Sequence, residues 1–193
     1  MGACSGDKPS LFSFLGVAHM VCGFLAVALQ SAALIISEDP YMYETVLRYH
    51  HVFRSAPGIW AGAASFATGI LAMIAAGRLR QSFRYPYTLE QFLSVAEGLG
   101  ALSIVSALFN AAMVIIHGYI MVLLHRVLLG RYGYYEHTSK IHVIILFVLS
   151  GLMVVAGLLE MASQVIGAVA ACRALEAGRK ELSYEEVPIR ERD

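Results

Sequence analysis

The chain is poor in charge, in cysteine and in asparagine. Only 15% of its 193 residues are Asp, Glu, Lys or Arg, whereas a soluble domain carries about a quarter. Basic and acidic residues balance at fourteen each, which removes the positive field that nucleic-acid binding requires. The three cysteines, Cys4, Cys22 and Cys172, supply no disulfide framework. The single asparagine, Asn110, is followed by Ala111 and Ala112, so the chain holds no N-glycosylation acceptor. Gly-rich phosphate loops, metalloprotease motifs and nucleophile–base pairs are also missing. Neither an enzyme nor a cofactor is expected.

What is there is hydrocarbon. Hydrophobic residues make up 58% of the chain and the mean hydropathy is +0.66, values of a polytopic membrane protein. Four apolar runs, 11–36, 57–77, 98–124 and 141–172, each meet the requirement of about 20 residues to cross ~30 Å of hydrocarbon. Phe92 to Glu97 reads as an amphipathic lead-in to the third. Residues 1–10 show no small-residue cleavage site after an apolar core, so no cleaved leader is expected. Gly6 stands where a myristoylation signal wants Ser or Thr; Cys4 and the juxtamembrane Cys172 are the candidates for palmitoylation. Nine of the fourteen basic residues fall in segments 1–10, 78–97 and 173–193, and five in the other two loops. That bias places both termini in the cytosol. The expected architecture is an all-α, integral membrane four-helix bundle over 11–173. A cytosolic N-terminus (1–10) and a cytosolic tail (174–193), briefly helical and then disordered, flank it.

Small residues recur every four positions in the spans, among them Gly58–Gly62, Ala61–Ser65–Gly69 and Ser163–Gly167–Ala171. Such rows let backbones approach closely where lipid removes the hydrophobic incentive to associate. Gly58, Gly62, Gly69, Ser163 and Gly167 are therefore the candidate helix-packing positions.

Glu160 lies inside the fourth run, twelve residues before Cys172. At 1.5 Å per residue that is ~18 Å from the inner boundary, near mid-membrane. An ionisable side chain there is either a site or interhelical glue. Asn110 reaches a similar depth in span three, His19 sits shallower in span one, and Gln164 is one turn from Glu160 on the same face. The structural reading is a protonated Glu160 hydrogen-bonded to Asn110, Gln164 or His19; the functional reading is a proton or cation site.

Several short stretches together resemble a known family. Span one carries Leu15-Gly16-Val17-Ala18-His19 and Gly23-Phe24-Leu25, and span two carries Pro57-Gly58-Ile59-Trp60-Ala61-Gly62. Span three has Leu102-Ser103-Ile104-Val105-Ser106, and span four has Leu158-Leu159-Glu160 and Cys172-Arg173-Ala174. In that order and at those depths they resemble the membrane-spanning four-domain subfamily A, the family of the B-lymphocyte surface antigen and the IgE-receptor beta chain. The resemblance implies a non-enzymatic, multi-pass signalling adaptor of the plasma membrane or endosomal system. Such a protein would form a homodimer or higher homo-oligomer and modulate a receptor, channel or trafficking complex, its small-residue faces and exposed helix surfaces docking partners laterally. His19 stands where the family often has glutamine, and the tail has one tyrosine rather than a pair. A cation or proton conductor using Glu160 is the alternative.

Two features lie outside the spans. His50, His51, His125, His137 and His142 fall in or beside the outer loops. Such a set is a candidate for zinc or copper, with His50, His51 and His137 foremost, or with the loop tyrosines for sensing pH or a small ligand. Their spacing matches no ligand pattern. Tyr184-Glu185-Glu186-Val187 fits a sorting signal or, phosphorylated, a docking peptide, against the plain reading of a solvated tail.

Overall fold

The computed structural model describes residues 8–37, 54–82, 85, 88–129 and 137–185; the side chains of residues 8, 137–139 and 181–185 lie outside that description. These residues form four helices: α1 (Lys8–Ser37), α2 (Pro57–Ser82), α3 (Leu89–Leu128) and α4 (His137–Glu185). All four are long and apolar enough to cross a membrane. The chain is an all-α four-helix bundle with the character of an integral, multi-pass membrane protein.

Helix ends follow local chemistry. Pro57 opens α2, where its missing N–H is no loss, and the Ala56 carbonyl accepts from the Ile59 and Trp60 amides. Glu90 occupies the first turn of α3 and His125 and Arg126 its last, each sign at the favourable end of the helix dipole.

Two helices outrun the spans expected from composition. Phe92 to Glu97, the amphipathic lead-in, continues unbroken into α3. Tail residues 174–185 prolong α4, whose 49 residues measure about 74 Å. The two extensions pack on each other. The Leu93 side chain covers the space beside Gly178, where an added Cβ would meet Leu93 Cδ2 at 2.6 Å, and Arg179 reaches Glu97 at 2.7 Å. That ion pair is exposed on both sides and contributes at most about 1 kcal/mol.

The helices close a ring in which α1 packs on α2, α2 on α3, α3 on α4, and α4 on α1. Buried positions step by three and four: Leu99, Ser103, Ser106, Asn110, Met113, His117, Ile120 and Leu124 on α3, and Val143, Leu146, Ser150, Met153, Gly157, Glu160, Gln164, Gly167 and Ala171 on α4. A seven-residue repeat keeps one seam facing the bundle axis.

The seams meet in alternating layers. Nearest the termini, Phe12, Leu79, Phe92 and Leu99 pack with small alanines. A polar layer holds His19, Ser65, Ser106, Asn110, Glu160 and Gln164. Ala26, Ala61, Met113 and Met153 follow, then a second polar layer of Gln30, His117 and Ser150. The far end is Ala33, Ile120, Leu124, Val143 and Leu146. Outside, large apolar side chains such as Phe14 (71% exposed), Ile35 (74%) and Ile115 (71%) face outward, as contact with lipid requires.

The α1–α2 seam is lined by glycine. A Cβ on Gly62 would lie 2.5 Å from the Gly23 carbonyl oxygen, and one on Gly23 equally near the Gly62 oxygen; Gly69 meets the Gly16 oxygen at 2.7 Å. Gly62 and Gly69 thus bring backbones together within one chain, while Gly58 makes room for the Gln30 and Met153 side chains.

Candidate functional site

The membrane interior offers no water to unpaired polar groups, so the two polar layers must satisfy themselves. In the lower one, His19 Nδ1 stands 2.6 Å from Glu160 Oε1, joining α1 to α4. The side chains are 1% and 3% exposed. Two arrangements leave this pair without net charge, imidazolium with carboxylate or imidazole with carboxylic acid, and the cost of burying net charge favours them over the others. Both share one proton across the short contact, and both put a hydrogen on His19 Nε2.

Gln164 extends the pair to α3. Its Nε2 donates to Glu160 Oε1 at 2.9 Å and to Ser106 Oγ at 2.9 Å, which uses both amide hydrogens. Asn110 Nδ2 donates to the Ser106 carbonyl oxygen at 2.9 Å and to Ser65 Oγ on α2 at 3.1 Å, and the Ser65 and Ser106 hydroxyls lie 3.2 Å apart. All four helices are therefore tied at one depth. Cys22, one turn beyond His19, faces the same carboxyl group.

Glu160 Oε2, Gln164 Oε1 and Ser103 Oγ are buried without a hydrogen-bond partner among the described residues. Gly167 adjoins the last of these: a Cβ there would sit 3.6 Å from Ser103 Oγ and 3.8 Å from His19 Nε2. Having no side chain, Gly167 leaves the Nε2 edge of His19 and the Ser103 hydroxyl uncovered on its side.

The upper layer is a separate clamp. The Gly58 amide donates to Gln30 Oε1 at 3.2 Å, and a backbone N–H can only donate, so this atom is the amide oxygen. His117 Nε2, 2.9 Å from the same oxygen, must then be the donor. Its Nδ1 faces Ser150 Oγ at 3.5 Å. Replacing Gln30 by Leu strands the Gly58 amide and the His117 N–H together. The expected loss is about 1–3 kcal/mol, measured by reversible unfolding in detergent; a loss below a few tenths would show that the clamp contributes nothing.

The residues expected from sequence fall as follows. His19, Glu160 and Gln164 come together directly, and Asn110 joins them through Ser106 rather than by touching Glu160. Ser163 donates to the Glu160 carbonyl oxygen at 2.9 Å and lies 3.3 Å from His19 Nδ1, so it supports the pair as well as the seam. Cys172 is exposed. Cys4, His50, His51 and Val187 lie outside the described residues, as do the side chains of His137 and Tyr184. Among the described residues no three His, Cys, Asp or Glu side chains gather as metal ligands do. His117 and the Gln30 clamp are additions that the apolar-run reading missed.

No family model, curated protein or solved structure matches the chain. The geometry therefore stands by itself: a pair that can carry one proton, enclosed by amides and hydroxyls, in a bundle sealed at both ends by apolar layers.

Proposed function

We propose that this chain is a non-enzymatic four-span membrane protein, a divergent relative of the membrane-spanning four-domain subfamily A. It self-associates and modulates a receptor, channel or trafficking complex by lateral contact in the plasma membrane or endosomal system. The observation that carries this reading is the division between inside and outside. Polar side chains and glycines serve the seams within one chain, while Phe14, Ile35, Leu108 and Ile115 project outward. Segments between helices are short, 38–56, 83–88 and 129–136, which leaves the helix faces as the main contact surface.

Single-molecule photobleaching of a fluorescently tagged chain extracted in native-lipid discs tests self-association. Two or more bleaching steps per disc are expected. Single steps in nearly all discs would end the self-associating part of the proposal.

One observation favours a second reading, proton or cation conduction. Buried oxygens of Glu160, Gln164 and Ser103 have no hydrogen-bond donor among the described residues, and such oxygens suit an added proton or a small cation. The Gln164 amide, turned over, could accept from a protonated Glu160 and from Ser106, so its orientation can follow the proton. Flux into liposomes containing wild type or Glu160→Gln separates the readings. The adaptor predicts no flux from either protein; flux that Glu160→Gln abolishes without unfolding the protein makes it a conductor.

A further inference from the structure

Below the His19–Glu160 contact, α1 and α4 part. On the terminal side of that contact a cavity of about 380 Å³ opens between them, lined by Leu11, Phe12, Val165, Ile166, Val169 and Ala170, and at its mouth by Arg173 and Ala174. Phe12 forms a rigid floor, 2% exposed and set edge-on to Phe92 at 6.3 Å. Val165 (60% exposed), Ile166 (53%) and Val169 (46%) form an open wall. Arg173 is exposed and makes no ion pair among the described residues.

We propose that this groove binds one anionic glycerophospholipid from the leaflet on the side of the termini, with an acyl chain along α1 and α4 and the headgroup phosphate on Arg173. The first support is length. From Val165 to Arg173 is eight residues, or ~12 Å along the helix, close to one leaflet's share of a ~30 Å hydrocarbon core. The groove starts at mid-membrane, one residue from Gln164, and ends at the level of the basic boundary. A peptide strand or a second helix would need backbone partners or a continuous face; a hydrocarbon chain needs neither.

The second support is charge. An arginine at the mouth of an otherwise apolar groove presents a fork of donors to phosphate. Arg78 and Arg80 lie at the same end of the bundle, in the last turns of α2, and reinforce attraction to an anionic leaflet. The lipid would fill the wedge between α1 and α4 beneath the polar contact.

Native mass spectrometry of the full chain, purified in neutral detergent and offered phosphatidylserine or phosphatidylcholine, tests the assignment. Wild type is expected to retain one lipid and to prefer phosphatidylserine about five-fold, the share of one basic side chain at a membrane surface. Arg173→Gln should keep the stoichiometry and lose the preference. Ala170→Trp, which fills the groove from α4, should lose the retained lipid of either kind while circular dichroism remains helical. If Ala170→Trp unfolds, Val169→Trp on the open wall serves in its place. Equal retention of both lipids by wild type, an undiminished preference in Arg173→Gln, or full retention by a folded groove-filling variant would each overturn the site.

Discussion

Replacing Glu160 by Leu is expected to destabilise the bundle by about 3 kcal/mol or more, the scale for removing one member of a buried ion pair. The change removes the partner of His19 Nδ1 and an acceptor from Gln164 Nε2 at once. Glu160→Gln keeps an oxygen that can accept from Gln164 or His19 and should cost about 1–2 kcal/mol. Reversible unfolding in mixed micelles reads both. Leu at 160 tolerated as well as Gln would mean that the pair is ornamental.

The glycine seam carries the second large effect. Gly62→Val should prevent α1 and α2 from closing, because the first added carbon already meets the Gly23 carbonyl oxygen at 2.5 Å and Val27 Cγ2 at 2.8 Å. Carbonyl oxygens cannot step aside by changing rotamer. Gly62→Ala should cost about 1–3 kcal/mol. Gly23→Ala should cost a similar amount, and the double variant less than the sum, since one widening of the seam accommodates both. Gly77 and Gly118 provide the contrast: nothing lies within 4 Å of their added Cβ. Alanine at either should stabilise its helix by about 0.5–1 kcal/mol through the entropy of the unfolded chain and the better propensity. Equal effects at Gly62 and Gly118 would refute the close approach.

The bundle was legible in the sequence because its physics is one-dimensional: four apolar runs of spanning length, joined by short polar segments, admit little else. Helix ends were less legible. Residues 89–97 and 174–185 are amphipathic rather than apolar, and only their packing on each other, through Leu93 beside Gly178 and Glu97 with Arg179, accounts for the long α3 and α4. Within the site, depth arithmetic favoured Asn110 over His19 as the nearer partner of Glu160. Counting from the ends of apolar runs ignores side-chain reach, and a histidine and a glutamate can together span about a helical turn. The small-residue spacing marked Gly167 as a packing candidate, but its closeness to His19 Nε2 was not legible, because that requires three helices to be placed.

His117 shows what a different reading would have found. The spans are apolar on every side, so hydropathy gives no stripe; the seam is marked instead by small and polar residues at steps of three and four. Counting seven from Asn110 on α3 reaches His117, and counting ten back from Glu160 on α4 reaches Ser150, which lie together in the second layer. In a lipid-facing bundle the inward face is the polar one, and its period is the signal.

A double-mutant cycle on His19 and Glu160, in lipid or bicelles with unfolding free energy as the readout, tests the polar clamp most directly. With His19→Leu, Glu160→Leu and the double variant, the clamp predicts a coupling of about 1–3 kcal/mol, and a double variant more stable than Glu160→Leu because the His19 edge is no longer left stranded. Additive single losses, with no coupling, would show that the two side chains do not hold α1 to α4.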